Sequence, residues 1–254
     1  MPSLEPADNE NNMNEFHTNV TTSDGEMECF AVHPDGDGPY PAVILYMDVP
    51  GVREELRDFC RGIAERGYFC LLPDMYYREG KLRFDLSKGE EEMKKMFAAG
   101  MALSVAGIMR DTQGMLDYLD DNPTVSRPTG CIGYCMSGQY VVAAAGTFPD
   151  QIAAAASLYG VRIVTDDDDS PHLLASRIKG ELYLGFAETD PYVEDNVIPD
   201  LKAALDEHGV TYTLETHPGT EHGFCFPQRP SYVEAAAEKV WATVFELYDR
   251  TLKN

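Results

Sequence analysis

The residues best placed to do chemistry stand in the run Thr129-Gly130-Cys131-Ile132-Gly133-Tyr134-Cys135-Met136-Ser137-Gly138, where a short apolar stretch breaks at Gly133 and a helical pattern starts just after Cys135. A strand that turns sharply into a helix strains the residue at the turn. It needs small residues two before and two after that point, because larger ones would meet the neighbouring strand. Gly133 and Ser137 meet the need, so G-x-C-x-S reads as a nucleophile elbow with Cys135 at its tip. Such an elbow raises the sulfur above the sheet edge and sets it at a helix N-terminus, where the positive end of the peptide dipoles favours thiolate over thiol. The competing reading of the same residues is a buried cysteine at a strand end, since free cysteine packs as a small hydrophobe.

A thiol nucleophile needs a base, and the base needs an acid to orient it. His222, in Gly219-Thr220-Glu221-His222-Gly223-Phe224, carries an imidazole, which can take the thiol proton and later return it to a leaving group. Asp190, in Glu188-Thr189-Asp190-Pro191, would hold the imidazole in one tautomer and stabilise its cation. Glu188 is the rival acid, two residues nearer its strand. His217 with His222 suggests metal ligands at first sight, but no third carboxylate or histidine is placed with them, so no metal is expected. Cys131 alternates within its strand and reads as core, and His172 reads as a loop histidine bonded to backbone.

These groups need elements to position them. Phe16 to Thr22 and Met27 to His33, either side of the turn signal Ser23-Asp24-Gly25-Glu26, predict a hairpin, after a polar tail over residues 1–15. Pro41 to Met47 and Tyr68 to Pro73 are near-continuous apolar runs, as strands buried on both faces require, and the helical spacing of Leu56, Phe59, Ile63 and Ala64 between them makes a right-handed parallel crossover. Residues 74–88 should pass over the top of the sheet. Helices are predicted over Glu90 to Ala99 and Val105 to Leu119, with Pro123 and Pro128 framing the loop into the elbow strand. Beyond the elbow come an Ala-rich helix from Gln139 to Phe148, strands at Ile152 to Tyr159 and Glu181 to Ala187, and a solvated acidic loop at Asp166 to Asp169. A helix from Val197 to His208, a strand at Thr211 to Thr216 and a closing helix from Ser231 to Leu252 complete the pattern. Strands alternating with helices predict one α/β domain, a mostly parallel central sheet with helices on both faces, over residues 16–254. Ligands bind beyond the carboxyl ends of such strands, and Cys135, Asp190 and His222 each follow one there. Their chain order, nucleophile then acid then histidine, is the order of α/β-hydrolases.

Composition excludes several other classes. Twenty Lys and Arg against 43 Asp and Glu give a formal net charge of -23. Such a chain repels nucleic acid and anionic membrane surfaces, which demand clustered basic residues. Absence of any run of about 18 apolar residues and of a signal-peptide pattern at Met1 to Pro6 predicts a cytoplasmic protein. The six cysteines are scattered without C-x-x-C pairs, which argues for a reducing compartment over a disulfide framework or a zinc site.

Four blocks make the chain resemble the dienelactone hydrolase family, over about residues 17 to 252: Met47-Asp48-Val49-Pro50-Gly51, Leu72-Pro73-Asp74-Met75-Tyr76-Tyr77-Arg78, Gly133-Tyr134-Cys135-Met136-Ser137-Gly138 and His222-Gly223-Phe224. The resemblance implies a compact α/β-hydrolase that opens ester or lactone bonds through a triad of Cys135, Asp190 and His222. It further implies an oxyanion hole from the backbone N–H groups of Val49 and Met136, and Arg78 as the holder of a substrate carboxylate. Asp48 falls where the family carries a Glu beside the nucleophile. Phe226 falls where it carries a second arginine, four residues after the histidine. The expectation is a cofactor-free hydrolase of a small carboxylic ester or lactone. A thioesterase or general carboxylesterase with the same triad is the alternative enzyme, and a thiol-sensing or binding protein on the same scaffold is the alternative outside catalysis.

Overall fold

The computed structural model describes residues 13–253. The tail expected over residues 1–15 therefore lies mostly outside the described residues, but Met13 to Glu15 lie inside and belong to a strand. That strand, β1 (Met13–Thr22), pairs antiparallel with β2 (Gly25–Pro34) in unbroken register, Met13 opposite Pro34 and Thr22 opposite Gly25. Gly25 has φ +134, a value that other residues reach only with strain.

Six further strands complete one sheet: β3 (Tyr40–Tyr46), β4 (Phe69–Pro73), β5 (Val125–Tyr134), β6 (Ile152–Leu158), β7 (Glu181–Thr189) and β8 (Tyr212–Glu221). Their spatial order is β1-β2-β4-β3-β5-β6-β7-β8. β2 pairs antiparallel with β4, and every neighbour from β4 to β8 runs parallel. The apolar runs read as doubly buried strands are so: every residue of β4 is buried, and all of β3 except Tyr40. β5 starts at Val125, so Pro128 lies within the strand instead of framing it. A register shift between Thr129 and Gly130 absorbs this irregularity.

The helices are α1 (Glu54–Glu65), α2 (Glu90–Ala102), α3 (Val105–Asp120), α4 (Gly138–Thr147), α5 (Val197–Glu207) and α6 (Glu234–Leu252). In α1, Leu56, Cys60, Ile63 and Ala64 are buried, the i, i+4, i+7, i+8 stripe of a helix lying on a sheet. Ser104 caps α3 by accepting from the Gly107 N–H at 3.1 Å. A Cβ on Gly130 would stand 2.8 Å from Leu252 of α6, and one on Gly133 would stand 2.8 Å from Val141 of α4. Residues three apart on a strand face opposite ways, so α6 and α4 cover opposite faces of β5. The long connection from β4 to α3 carries α2, whose residues are mostly exposed.

Candidate active site

The elbow is built as its residue types require. Tyr134 ends β5 in extended backbone, and Cys135 takes φ +54, the left-handed region that a residue with a side chain rarely occupies. A short 3₁₀ turn, Cys135–Ser137, leads directly into α4. A Cβ on Gly133 would lie 2.7 Å from the Ser137 Oγ and 2.8 Å from the Ser137 carbonyl oxygen, so only glycine fits there. Ser137, standing where glycine is commoner, has a positive use. Its hydroxyl accepts from the Tyr134 N–H at 2.9 Å and directs its proton toward the carbonyls of Tyr134 (3.0 Å) and Tyr46 (3.2 Å), tying the elbow to itself and to β3.

The acid and the histidine meet. β7 delivers Asp190 and β8 delivers His222, and their side chains join at 2.7 Å between Asp190 Oδ2 and His222 Nδ1. Asp190 Oδ1 accepts from the Tyr192 N–H at 3.0 Å, which fixes the carboxylate. Glu188, the rival acid, turns away and accepts from the Gly219 N–H at 2.8 Å. The rings of Tyr159 and Tyr192 meet that of His222 edge-on, with centroids 5.0 and 4.8 Å away. With Nδ1 committed to Asp190, the buried Nε2 has no hydrogen-bond partner among the described residues. His222 and Cys135 both line a cavity of about 710 Å³, together with Val49 and Met136. The Tyr76 hydroxyl donates to the Val49 carbonyl at 2.7 Å and holds that peptide in place.

Burial, and next the charge of Asp48, push Cys135 up to about 12, against the lowering effects of Arg229 and of the Met136 N–H. The helix N-terminus acts on the thiol through the Met136 N–H in the lowering direction, and desolvation outweighs it.

Asp48 is fully buried and is held on both sides. Arg53 donates to its Oδ1 at 2.5 Å and Arg229 to its Oδ2 at 2.5 Å, while Arg53 also bonds Glu55 at 2.9 Å. Glu55 in turn accepts from the Gln228 N–H at 3.1 Å, so two buried acids fasten the loop after His222. Two carboxylates and two guanidiniums make this cluster formally neutral, which is how the charge of Asp48 is tolerated out of water. Asp48 does not line the cavity. Neither does Arg78, which bonds Asp24 and buried Asp111 at 2.7 Å each and lies over the ring of Tyr77. The cations that do line it, with Cys135, are Arg229 and Arg162. Phe226 is a core ring between the guanidiniums of Arg53 (4.9 Å) and Arg229 (4.4 Å). Arg229, three residues further along, thus brings a cation to the cavity. In the sequence Arg229 gives no more signal than an arginine near the histidine at unfamiliar spacing. His172 bonds the Ser170 hydroxyl at 2.8 Å, and His217 the Tyr183 hydroxyl at 3.1 Å.

The model of the dienelactone hydrolase family matches residues 27–252. A curated Synechocystis protein named "Putative carboxymethylenebutenolidase" is 29% identical over 234 residues, covering 88% of this chain and 92% of its own. The Escherichia coli K12 protein of the same name is 24% identical, covering 91% and 85%. Among solved structures, the "Putative Dienelactone Hydrolase" of Klebsiella pneumoniae superposes with a TM-score of 0.85 at 22% identity, over 94% of this chain and all of that one.

Proposed function

The chain belongs to the dienelactone hydrolase family, and from that premise we propose that it hydrolyses carboxylic esters or lactones through Cys135, His222 and Asp190 by way of a thioester acyl-enzyme. The observation that carries this reading is the His222–Asp190 bond, which leaves a buried, unpaired Nε2 in the same cavity as a cysteine on a strained elbow.

Burial holds the Cys135 pKa up, so His222 acts as a general base during attack and not by storing a thiolate beforehand. The Sγ attacks the carbonyl carbon as its proton passes to Nε2, and the carbonyl electron pair moves onto oxygen beside the backbone N–H groups of Val49 and Met136. The tetrahedral species collapses, the C–O bond breaks, and the alkoxide leaves with the proton from Nε2. In a lactone that alkoxide stays attached and the ring opens. Water then gives its proton to Nε2 and attacks the thioester, the C–S bond breaks, and the thiol is restored as the acid departs. Asp190 stabilises the imidazolium in both halves. Arg229, in place of Arg78, is the cation that faces the reacting groups. No step requires a cofactor.

Cys135→Ala should abolish ester hydrolysis in a folded protein, whereas Cys131→Ala, fully buried in β5, should keep turnover. His222→Ala should cost nearly as much as loss of the thiol, since the members of a triad act as a unit. Near-normal turnover by Cys135→Ala would overturn the reading.

A further inference from the structure

We propose that the site is built for esters whose acyl or alcohol part is an extended apolar group, laid along α2. The proposal rests on the hydrolase reading above and narrows its substrate. At about 710 Å³ the cavity lies within the roughly 300–1,000 Å³ of sites that enclose drug-sized ligands. A small lactone ring would leave most of it to water.

The apolar wall is specific. Met93, Met96, Phe97 and Met101 of α2 line the cavity, and Met136 adds a fourth thioether. Unbranched and polarizable, methionine fits apolar groups of varied shape. The charged residues of α2 face elsewhere and pair along the helix, Lys94 with Glu90 and Glu91, Lys95 with Glu92. Gly100 brings the wall to the chemistry: a Cβ there would stand 2.7 Å from Val49 Cγ2 and 3.1 Å from Met136 Sδ. The wall therefore begins at the two residues assigned to the oxyanion hole.

Its outer end is uncovered. Met93, Phe97 and Met101 are 41, 39 and 66% exposed, and Tyr192 is 52% exposed with its ring 6.3 Å from Phe97. Single exposed apolar side chains need no explanation, but these four all line the same cavity. An apolar chain running out from the thiol would cover them. Arg229, whose charge acts on Cys135, is left for the ester end.

The test is a series of p-nitrophenyl esters, from acetate through butyrate, hexanoate and octanoate to decanoate, on the intact protein. Each added methylene should raise kcat/KM about fourfold until the wall is filled. Phe97→Asp and Met101→Asp, at exposed positions where folding should survive and circular dichroism can verify it, should lower the octanoate-to-acetate ratio by about tenfold or more. Octanoate ion should inhibit acetate-ester hydrolysis far better than acetate ion does, and less so in Phe97→Asp. Rates flat or falling with chain length, while acetate-ester hydrolysis still vanishes in Cys135→Ala, would overturn the substrate inference and leave the hydrolase reading standing. Absence of Cys135-dependent hydrolysis on every ester would overturn both.

Discussion

Asp48 and Arg229 set the readiness of the nucleophile from opposite directions. Asp48 raises the thiol pKa and Arg229 lowers it, and they are bonded to each other. Asp48→Asn removes the negative charge and leaves Arg229 unneutralised, so both changes should lower the Cys135 pKa from about 12. Iodoacetamide should then alkylate Cys135→Ala-sensitive thiol faster at pH 8 in the variant than in the parent. In the parent the rate should climb about tenfold per pH unit between pH 7 and 9, because the thiolate stays a minor species there. A parent rate already level by pH 7 would contradict the burial argument. Cys135, Asp190 and His222 were legible as candidates because each follows a predicted strand in a telling order. The Asp48–Arg229 pair was not, because it joins residues far apart in the chain and depends on where a loop folds back.

Glycines divide at the level of elements. Gly133 has no room for a Cβ, so Gly133→Ala should disrupt the elbow, cost about 1–3 kcal/mol and remove activity. Gly62, inside α1, meets nothing within 4 Å, so Gly62→Ala should raise stability by about 0.5–1 kcal/mol. Thermal unfolding of the two variants separates them, and equal effects would contradict the packing described. Arg78 acts at the same scale, fastening the turn of the β1–β2 hairpin to buried Asp111 of α3. Arg78→Ala removes the cation from that acid and leaves the Tyr77 hydroxyl donating to it at 2.8 Å, so it should destabilise by about 1–3 kcal/mol, with equal changes of KM for charged and neutral esters. A rise of KM confined to carboxylate-bearing substrates would return Arg78 to the binding site. The Asp24 carboxyl, bonded by Arg110 and Arg78, is held at about 2 against an ordinary 3.8. A depressed acid stabilises the fold above its unfolded pKa, so this contribution is present above about pH 4 and fades as pH falls toward 2. Strand and helix positions came through from the sequence because buried parallel strands are apolar throughout and surface helices are striped. Ends fared worse: β8 runs on to Glu221 and β5 begins before Pro128, since pairing with a neighbouring strand carries both beyond their apolar runs.

Seen as a whole, the molecule sets an acidic exterior around an apolar cavity. With a net charge of -23, self-repulsion should exceed the gain from surface ion pairs. Raising sodium chloride from low to about 0.5 M should therefore increase Tm, and a fall would mean that the surface pairs dominate. The overall sheet followed from the alternation of strand and helix patterns, whereas the α2 wall did not, because a mostly exposed helix with Met and Phe on one side reads as ordinary amphipathic packing. What the whole assembly does is most directly tested by intact-protein mass spectrometry during turnover of p-nitrophenyl acetate, with the adduct mapped by peptide digestion. The account predicts one acetyl group on Cys135 that forms within the first turnover and clears as substrate is exhausted, and no adduct in Cys135→Ala. An acetyl group that settles on another residue, or hydrolysis at an undiminished rate with Cys135 absent, would contradict it.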